Sequence, residues 1–148
     1  MLKDAKGATL IEMLLVISIV SILITIPILN WGVVTNYIEK KEINEFINDI
    51  TSARNRAILE SKLYSVDILV DKDTYAIYNY NPNKKLVKVK KLNGNLSIRR
   101  TTIKNNEVTF GALGVPMETG TIYLTNHKGR EIRITITPIT AKVNIYMD

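Results

Sequence analysis

One apolar run, from Ala8 to Leu29, constrains this chain more than any other feature. Its only polar residues are Thr9, Glu12, Ser18, Ser21 and Thr25. As a helix rising ~1.5 Å per residue it spans roughly 33 Å, enough for the hydrocarbon core of a bilayer. A buried core helix is the competing reading, but core helices are seldom apolar on every face for so long. Lys3 and Lys6 precede the run, and "NWGVVTNY" after it carries no charge. The positive-inside rule then predicts a single pass, with the N-terminus in the cytoplasm and the remainder outside. Trp31 and Tyr37 follow the run, where interfacial aromatics are common. A secretory signal would have a shorter apolar stretch and a small-residue cleavage site after it, and "TIPILNWG" offers no such site. Pro27 removes one helical hydrogen bond and predicts a bend.

Glu12 does not belong in a plain anchor. A carboxylate in a membrane segment costs about 2–3 kcal/mol or more, and it is a functional candidate by default. Its plain reading is a charge favoured by the positive end of the helix dipole. Ser18, Ser21 and Thr25 are expected to bond back to helix carbonyls, or to let helices approach closely.

The remaining sequence suits one modest domain. The chain has 148 residues and no cysteine, so it has neither a disulfide framework nor a thiolate metal site. A net charge of +6 favours acidic partners only weakly. From Ile38 to Ile58, apolar residues recur at helical spacing: Ile43, Phe46, Ile47, Ile50, Ala53 and Ala57. Glu39, Glu42, Glu45, Asp49 and Arg56 are expected off that stripe. After Leu63 the period becomes two. "YSVDILV", "TYAIYNY", "KLVKVKKL", "LSIRR", "EVTF", "TIYLTN", "EIRITIT" and "KVNIY" read as short strands, separated by turn signals such as "DKD", "NPNK", "NGN" and "HKGR". The expected fold is α+β, with a long N-terminal helix, membrane-spanning and then amphipathic, packed on an antiparallel β domain. Its divisions fall at 1–7, 8–30, 31–63 and 64–148.

The search for chemistry is nearly empty. His127, the single histidine, sits in a turn without ligand-spaced partners. No phosphate-binding glycine loop or nucleophile motif is present. Asp67, Asp71 and Asp73 lack the rest of a calcium loop and read as a charged turn. No cofactor, metal or catalytic residue is expected. From Lys84 to Lys104, however, eight basic residues occur without an acid. Alternation in "LVKVK" predicts Val87 and Val89 inward, with Lys88 and Lys90 outward. "NGN" would bring Arg99 and Arg100 alongside on the next strand. Lys88, Lys90, Arg99 and Arg100 thus form a candidate patch for an anionic ligand: DNA, a teichoic-type polymer or an acidic neighbouring subunit. Tyr75, Tyr78 and Tyr80 would add stacking surface. The plain alternative is a solvated strand whose lysines block edge-to-edge aggregation.

"KGATLIE" resembles the processing site of type IV pilins and pseudopilins. The resemblance implies a leader "MLKDAKG", cut after Gly7 by a prepilin peptidase in the membrane, and N-methylation of the new terminus, Ala8. The family usually has Phe there, so Ala8 is a departure. It also implies that Glu12 pairs with the terminal amine of a neighbouring subunit during filament assembly. "FINDITSARNRAILESK" and "VTFGALGVPMETGTIYLTN" resemble the GspH/FimT group of minor pseudopilins and pilins, although "PITAKVNIY" departs from that group's usual last strand. The D-type competence pseudopilins (ComGD-like) share the layout. The implied function is a non-enzymatic subunit of a pilus, a type II secretion pseudopilus or a competence pseudopilus. Its implied partners are the peptidase, other pilin subunits, the inner-membrane assembly platform and membrane lipid. Two alternatives stand beside it: a DNA-binding minor pilin for DNA uptake, with nucleic acid as partner, and an uncleaved membrane-anchored β-domain protein.

Overall fold

The computed structural model describes residues 9–28, 31–80 and 82–147, without the side chains of 25–28 and 31. The sequence-predicted cleavage site, Gly7 and Ala8, and most of the "NWG" junction lie outside the described residues or side chains. The chain divides into two units, Met1–Tyr37 and Ile38–Asp148.

In the first unit, helix α1 runs Leu10–Ile28. Its 19 residues make it about 28 Å long. Among the described residues no helix is long and apolar enough to cross a membrane. Its described large apolar side chains point in every direction and are 47–78% exposed. Ser18 and Ser21 donate to the carbonyls of Leu14 and Ile17 at 2.8 and 2.7 Å, so neither hydroxyl adds an unpaired donor to an apolar surface. Helix α2 runs Trp31–Glu60 and thus begins before the periodic stripe does.

The second unit holds most of α2 and two four-stranded antiparallel sheets. The first sheet contains β1 (Leu63–Leu69), β2 (Thr74–Tyr80), β3 (Lys84–Lys91) and β5 (Glu107–Phe110), in the order β3-β2-β1-β5. The second contains β4 (Leu96–Thr101), β6 (Gly120–Asn126), β7 (Glu131–Ile136) and β8 (Val143–Met147), in the order β4-β6-β7-β8. All eight follow the alternating segments of the sequence. The division into two sheets follows from β5, which pairs with β1 rather than with its chain neighbour β4.

One core joins these layers. Ile43, Phe46, Ile50, Ala53 and Ala57 from α2 are buried with Tyr64, Val66, Val108 and Phe110 of the first sheet and Ile122, Leu124, Ile132 and Ile134 of the second. The Phe46 and Tyr75 rings lie 4.4 Å apart, centre to centre. The expectation that the acids of α2 avoid this face fails for two of them. Glu39 and Glu42 are both buried. Glu39 accepts from Asn126 Nδ2 at 3.0 Å and meets His127 Nδ1 at 3.1 Å, at the β6–β7 turn. Glu42 accepts from the Asn93 backbone N–H at 2.7 Å, in the β3–β4 turn. The contacts of Glu39 make its burial tolerable, whereas Glu42 is satisfied at Oε1 alone and keeps Oε2 buried without a partner among the described residues.

Candidate assembly site and the basic segment

The start of α1 is built around Glu12. Thr9 stands just before the helix, and its carbonyl accepts from Glu12 N and Met13 N at 3.1 and 3.2 Å. Glu12 folds back so that Oε2 accepts from Thr9 N at 2.8 Å and from the Thr9 hydroxyl at 3.2 Å. Thr9 Oγ1 lies 3.4 Å from Glu12 N. This is a capping box, in which threonine and a glutamate three residues on satisfy backbone donors that the first helical turn leaves unpaired. The pattern Thr-x-x-Glu before an apolar run is a sequence signal for it. Reading Glu12 by its charge alone passes over Thr9. The cap uses Oε2 and leaves Oε1 without a partner among the described residues.

The basic segment differs from its sequence expectation. Along β3 the facing is reversed: Val87 and Val89 are exposed, while Lys88 and Lys90 are half-buried against α2. Lys88 donates to Asp49 Oδ2 at 2.6 Å and to Glu45 Oε1 at 3.2 Å, and Lys90 to Glu45 Oε2 at 2.6 Å. The bond from Lys90, helped by Lys88, holds the Glu45 carboxyl below its usual range. The bond to Asp49 pushes the Lys88 ammonium up. The physical reason for the reversal is the acidic pair at i and i+4 on α2, which offers the lysines partners that valines cannot use. A register shift at Ile77/Tyr78 accommodates Val87 as the extra residue.

Arg99 and Arg100 lie on β4, in the other sheet, and β4 does not pair with β3. Arg99 Nε donates to Thr125 Oγ1 at 3.2 Å. The Arg100 guanidinium lies 3.5 Å from the centre of the Tyr123 ring. The four candidate residues are therefore split between two sheets, with both lysines engaged by acids. The three tyrosines do not form one stacking surface either. Tyr75 points into the core, with its hydroxyl donating to Asp49 at 2.6 Å. Burial, together with that carboxylate, pushes its pKa up.

Tyr78 and Tyr80 belong to the opposite face of the first sheet, around Lys84. Lys84 Nζ lies 2.8 Å from Asp67, 3.3 Å from Glu107 and 4.4 Å from the centre of the Tyr78 ring. Tyr80 donates to Glu107 at 3.0 Å. Asp67 and Glu107 are directly opposed across β1 and β5, so two carboxylates share one lysine. Their environments separate them. Burial pushes Asp67 up, and Glu107 beside it adds to the effect against the pull of Lys84. Burial also works against the Glu107 charge, but bonds from Ser65, Asp67, Tyr80 and Lys84 outweigh it and push Glu107 down to about 2. The charged turn at Asp73 is structural: Asp73 Oδ1 accepts from Ile98 N at 2.6 Å and ties that turn to β4. Among the described residues no acid and histidine cluster has a metal-holding arrangement.

Comparison with known proteins follows the same two units. Residues 2–26 match the prokaryotic N-terminal methylation motif. Residues 42–140 match the family described as type II transport protein GspH. No curated protein matches the chain. Among solved structures, the chain resembles the minor pseudopilin EpsH from the type 2 secretion system of Vibrio cholerae, with a TM-score of 0.58 and 12% identity over 73% of this chain and 95% of that one. It also resembles the type IV minor pilin FimU of Pseudomonas aeruginosa, with a TM-score of 0.52 and 16% identity over 72% of this chain and 91% of that one. At these identities the two structures speak for the fold, a long N-terminal helix on antiparallel sheets. With the family match covering most of the helix-and-sheet unit and the methylation motif covering most of α1, the chain belongs to the GspH family and is a type IV pilin-like minor pseudopilin.

Proposed function

We propose that the chain is made as a membrane-held precursor, cut after Gly7 by prepilin peptidase and N-methylated on Ala8, and then drawn from the membrane into a type IV filament-like assembly. The observation that carries this reading is the capped Glu12 at the head of a helix apolar on all sides, within the stretch that matches the methylation motif. The cap engages one carboxylate oxygen with the chain's own first turn. The other is available to the Ala8 amine of a neighbouring subunit, so one residue can serve the lone subunit and the filament in turn. In the precursor, α1 and the apolar residues flanking it cross the membrane once, with the N-terminus cytoplasmic and the β domain outside. Membrane lipid and the inner-membrane assembly platform are its partners there, and other pilin subunits afterwards. The role is structural, without catalysis. The family description favours a secretion pseudopilus over a pilus or a competence pseudopilus. With Lys88 and Lys90 held by α2, an acidic-polymer receptor is the weaker reading of the basic segment.

The test is the intact mass of the N-terminal peptide from the full chain extracted from membranes. It should begin at Ala8 and carry one methyl group. Gly7→Leu should leave residues 1–7 attached, because the peptidase must accommodate the peptide around a minimal side chain. A wild-type chain that keeps those residues would overturn the reading in favour of an uncleaved anchor.

A further inference from the structure

One end of the second unit is basic, and folding makes it so. In sequence "EKKE", from Glu39 to Glu42, is neutral. In the fold its two acids turn inward to the β6–β7 and β3–β4 turns, while Lys40 and Lys41 stay exposed. The two turns are neighbours, since Leu96 at the start of β4 pairs with Asn126. They bring further exposed cations to the same end: Lys91 before the β3–β4 turn, and Lys128 and Arg130 in the β6–β7 turn. The exposed acids nearby are Asp71, next to Lys72, and Glu131, which lies 4.0 Å from Arg133 Nε. The balance at this end is therefore positive.

This end belongs to the first turns of α2. Lys40 stands nine residues after Trp31, about 14 Å along the helix, whereas Leu59 stands 28 residues after it, about 42 Å. Tyr146 and Met147, both more than half exposed, lie beside the β6–β7 turn, because Met147 pairs with Ile132. Cations next to an exposed aromatic and an exposed thioether suit a bilayer interface. There ammonium and guanidinium groups meet phosphates, and the ring sits at headgroup depth. An anionic headgroup layer attracts such cations over a Debye length, ~8 Å at physiological salt.

We propose that, while the chain is held in the membrane, the basic end of its second unit docks on an anionic bilayer surface through Lys40, Lys41, Lys128 and Arg130. Each basic residue near such a surface is worth about a fivefold preference, so several together hold a tethered domain that one alone would not. Zwitterionic headgroups offer no comparable attraction. The proposal rests on the membrane-held reading for its setting and adds to it a requirement for headgroup charge.

Because the chain has no cysteine, one introduced cysteine carries one fluorescent dye in the full-length protein. Gly94→Cys places the dye in the β3–β4 turn, where an added Cβ meets nothing within 4 Å. Leu113→Cys, in the β5–β6 loop that packs on Ile58 near the other end of α2, is the control. Each is reconstituted in vesicles of phosphatidylcholine alone or mixed with phosphatidylglycerol, with a nitroxide quencher on the choline headgroup. The Gly94→Cys dye should be quenched several-fold more in the mixed vesicles, and high salt should abolish the difference. The Leu113→Cys dye should be quenched little in either. Lys40→Gln with Lys41→Gln should lower the ratio of docked to undocked domains about 25-fold, and Arg130→Gln, on a different element, about fivefold. Equal quenching of the Gly94→Cys dye in both vesicle types would mean tethering alone and overturn the proposal, as would quenching that salt leaves unchanged. Flotation of the same vesicles reports separately on the membrane-held reading. A chain that floats without charge-dependent quenching would sink the docking and leave that reading standing, whereas a chain that does not float would sink both.

Discussion

Glu12 has two tasks that different substitutions separate. As part of a capping box it needs only an acceptor, which a glutamine also supplies. As partner to a terminal amine it needs a negative charge. Glu12→Gln should therefore keep the helix start while reducing incorporation into filaments, measured as the share of the subunit in sheared filament fractions. Thr9→Ala should do the reverse, weakening the first turn by about 1 kcal/mol while assembly persists. Equal incorporation of Glu12→Gln and wild type would remove the pairing idea and leave the cap as its whole role. At Phe46 the argument is packing alone. The ring is fully buried against Tyr75, so Phe46→Ala should cost about 3–5 kcal/mol in urea denaturation, a large share of a small domain's stability.

Among the elements, β3 shows where sequence reasoning stops. Its existence and length are legible in "KLVKVK", but a strict alternation of Val and Lys fits either facing. What decides is the acid pair Glu45 and Asp49, forty residues away, which only the folded chain brings into range. The burial of Glu39 and Glu42 escapes the sequence for a related reason. They continue the apolar stripe by one helical turn, but a carboxylate there argues against burial, and the partners Asn93, Asn126 and His127 lie far along the chain. The eight strands and the α2 stripe needed only local periodicity and turn residues, and so could be read directly. The pairing of β5 with β1 left no local mark. The reversed facing has a testable result. Lys88→Glu with Lys90→Glu would set four carboxylates together and should destabilise the fold markedly, whereas Arg99→Glu with Arg100→Glu should be milder. Equal urea midpoints for the two double variants would restore the solvent-facing reading of the lysines.

The cluster joining β1, β3 and β5 governs a pH response. Glu107 titrates at about 2 in the folded chain and near the ordinary ~4.3 when unfolded. A lowered carboxylate pKa contributes stability that is present above the unfolded value and lost as pH falls through the folded one. Asp67 has the opposite sign, because its raised pKa favours the folded state at low pH and that gain is lost as pH rises through it. The stability difference between wild type and Glu107→Gln should therefore be largest above about pH 5 and should close on acidification towards 2, as followed by thermal melts across that range.

For the whole molecule, the boundary between Tyr37 and Ile38 predicts that a chain beginning at Ile38 folds on its own. Circular dichroism should show a β-rich spectrum and a single cooperative melt; a gradual, non-cooperative loss of signal would show that the core needs the preceding unit. Within the folded chain, α2 grips both sheets through its side chains. Glu39 holds the β6–β7 turn, Glu42 the β3–β4 turn and Glu45 the edge of β3. A filament subunit is pulled as well as packed, and tension along α2 would meet these ties side by side and not one after another. Each is weak by itself, but ties loaded in parallel must fail together, so the helix would resist being drawn out of its domain as a shear joint does, by sharing the load.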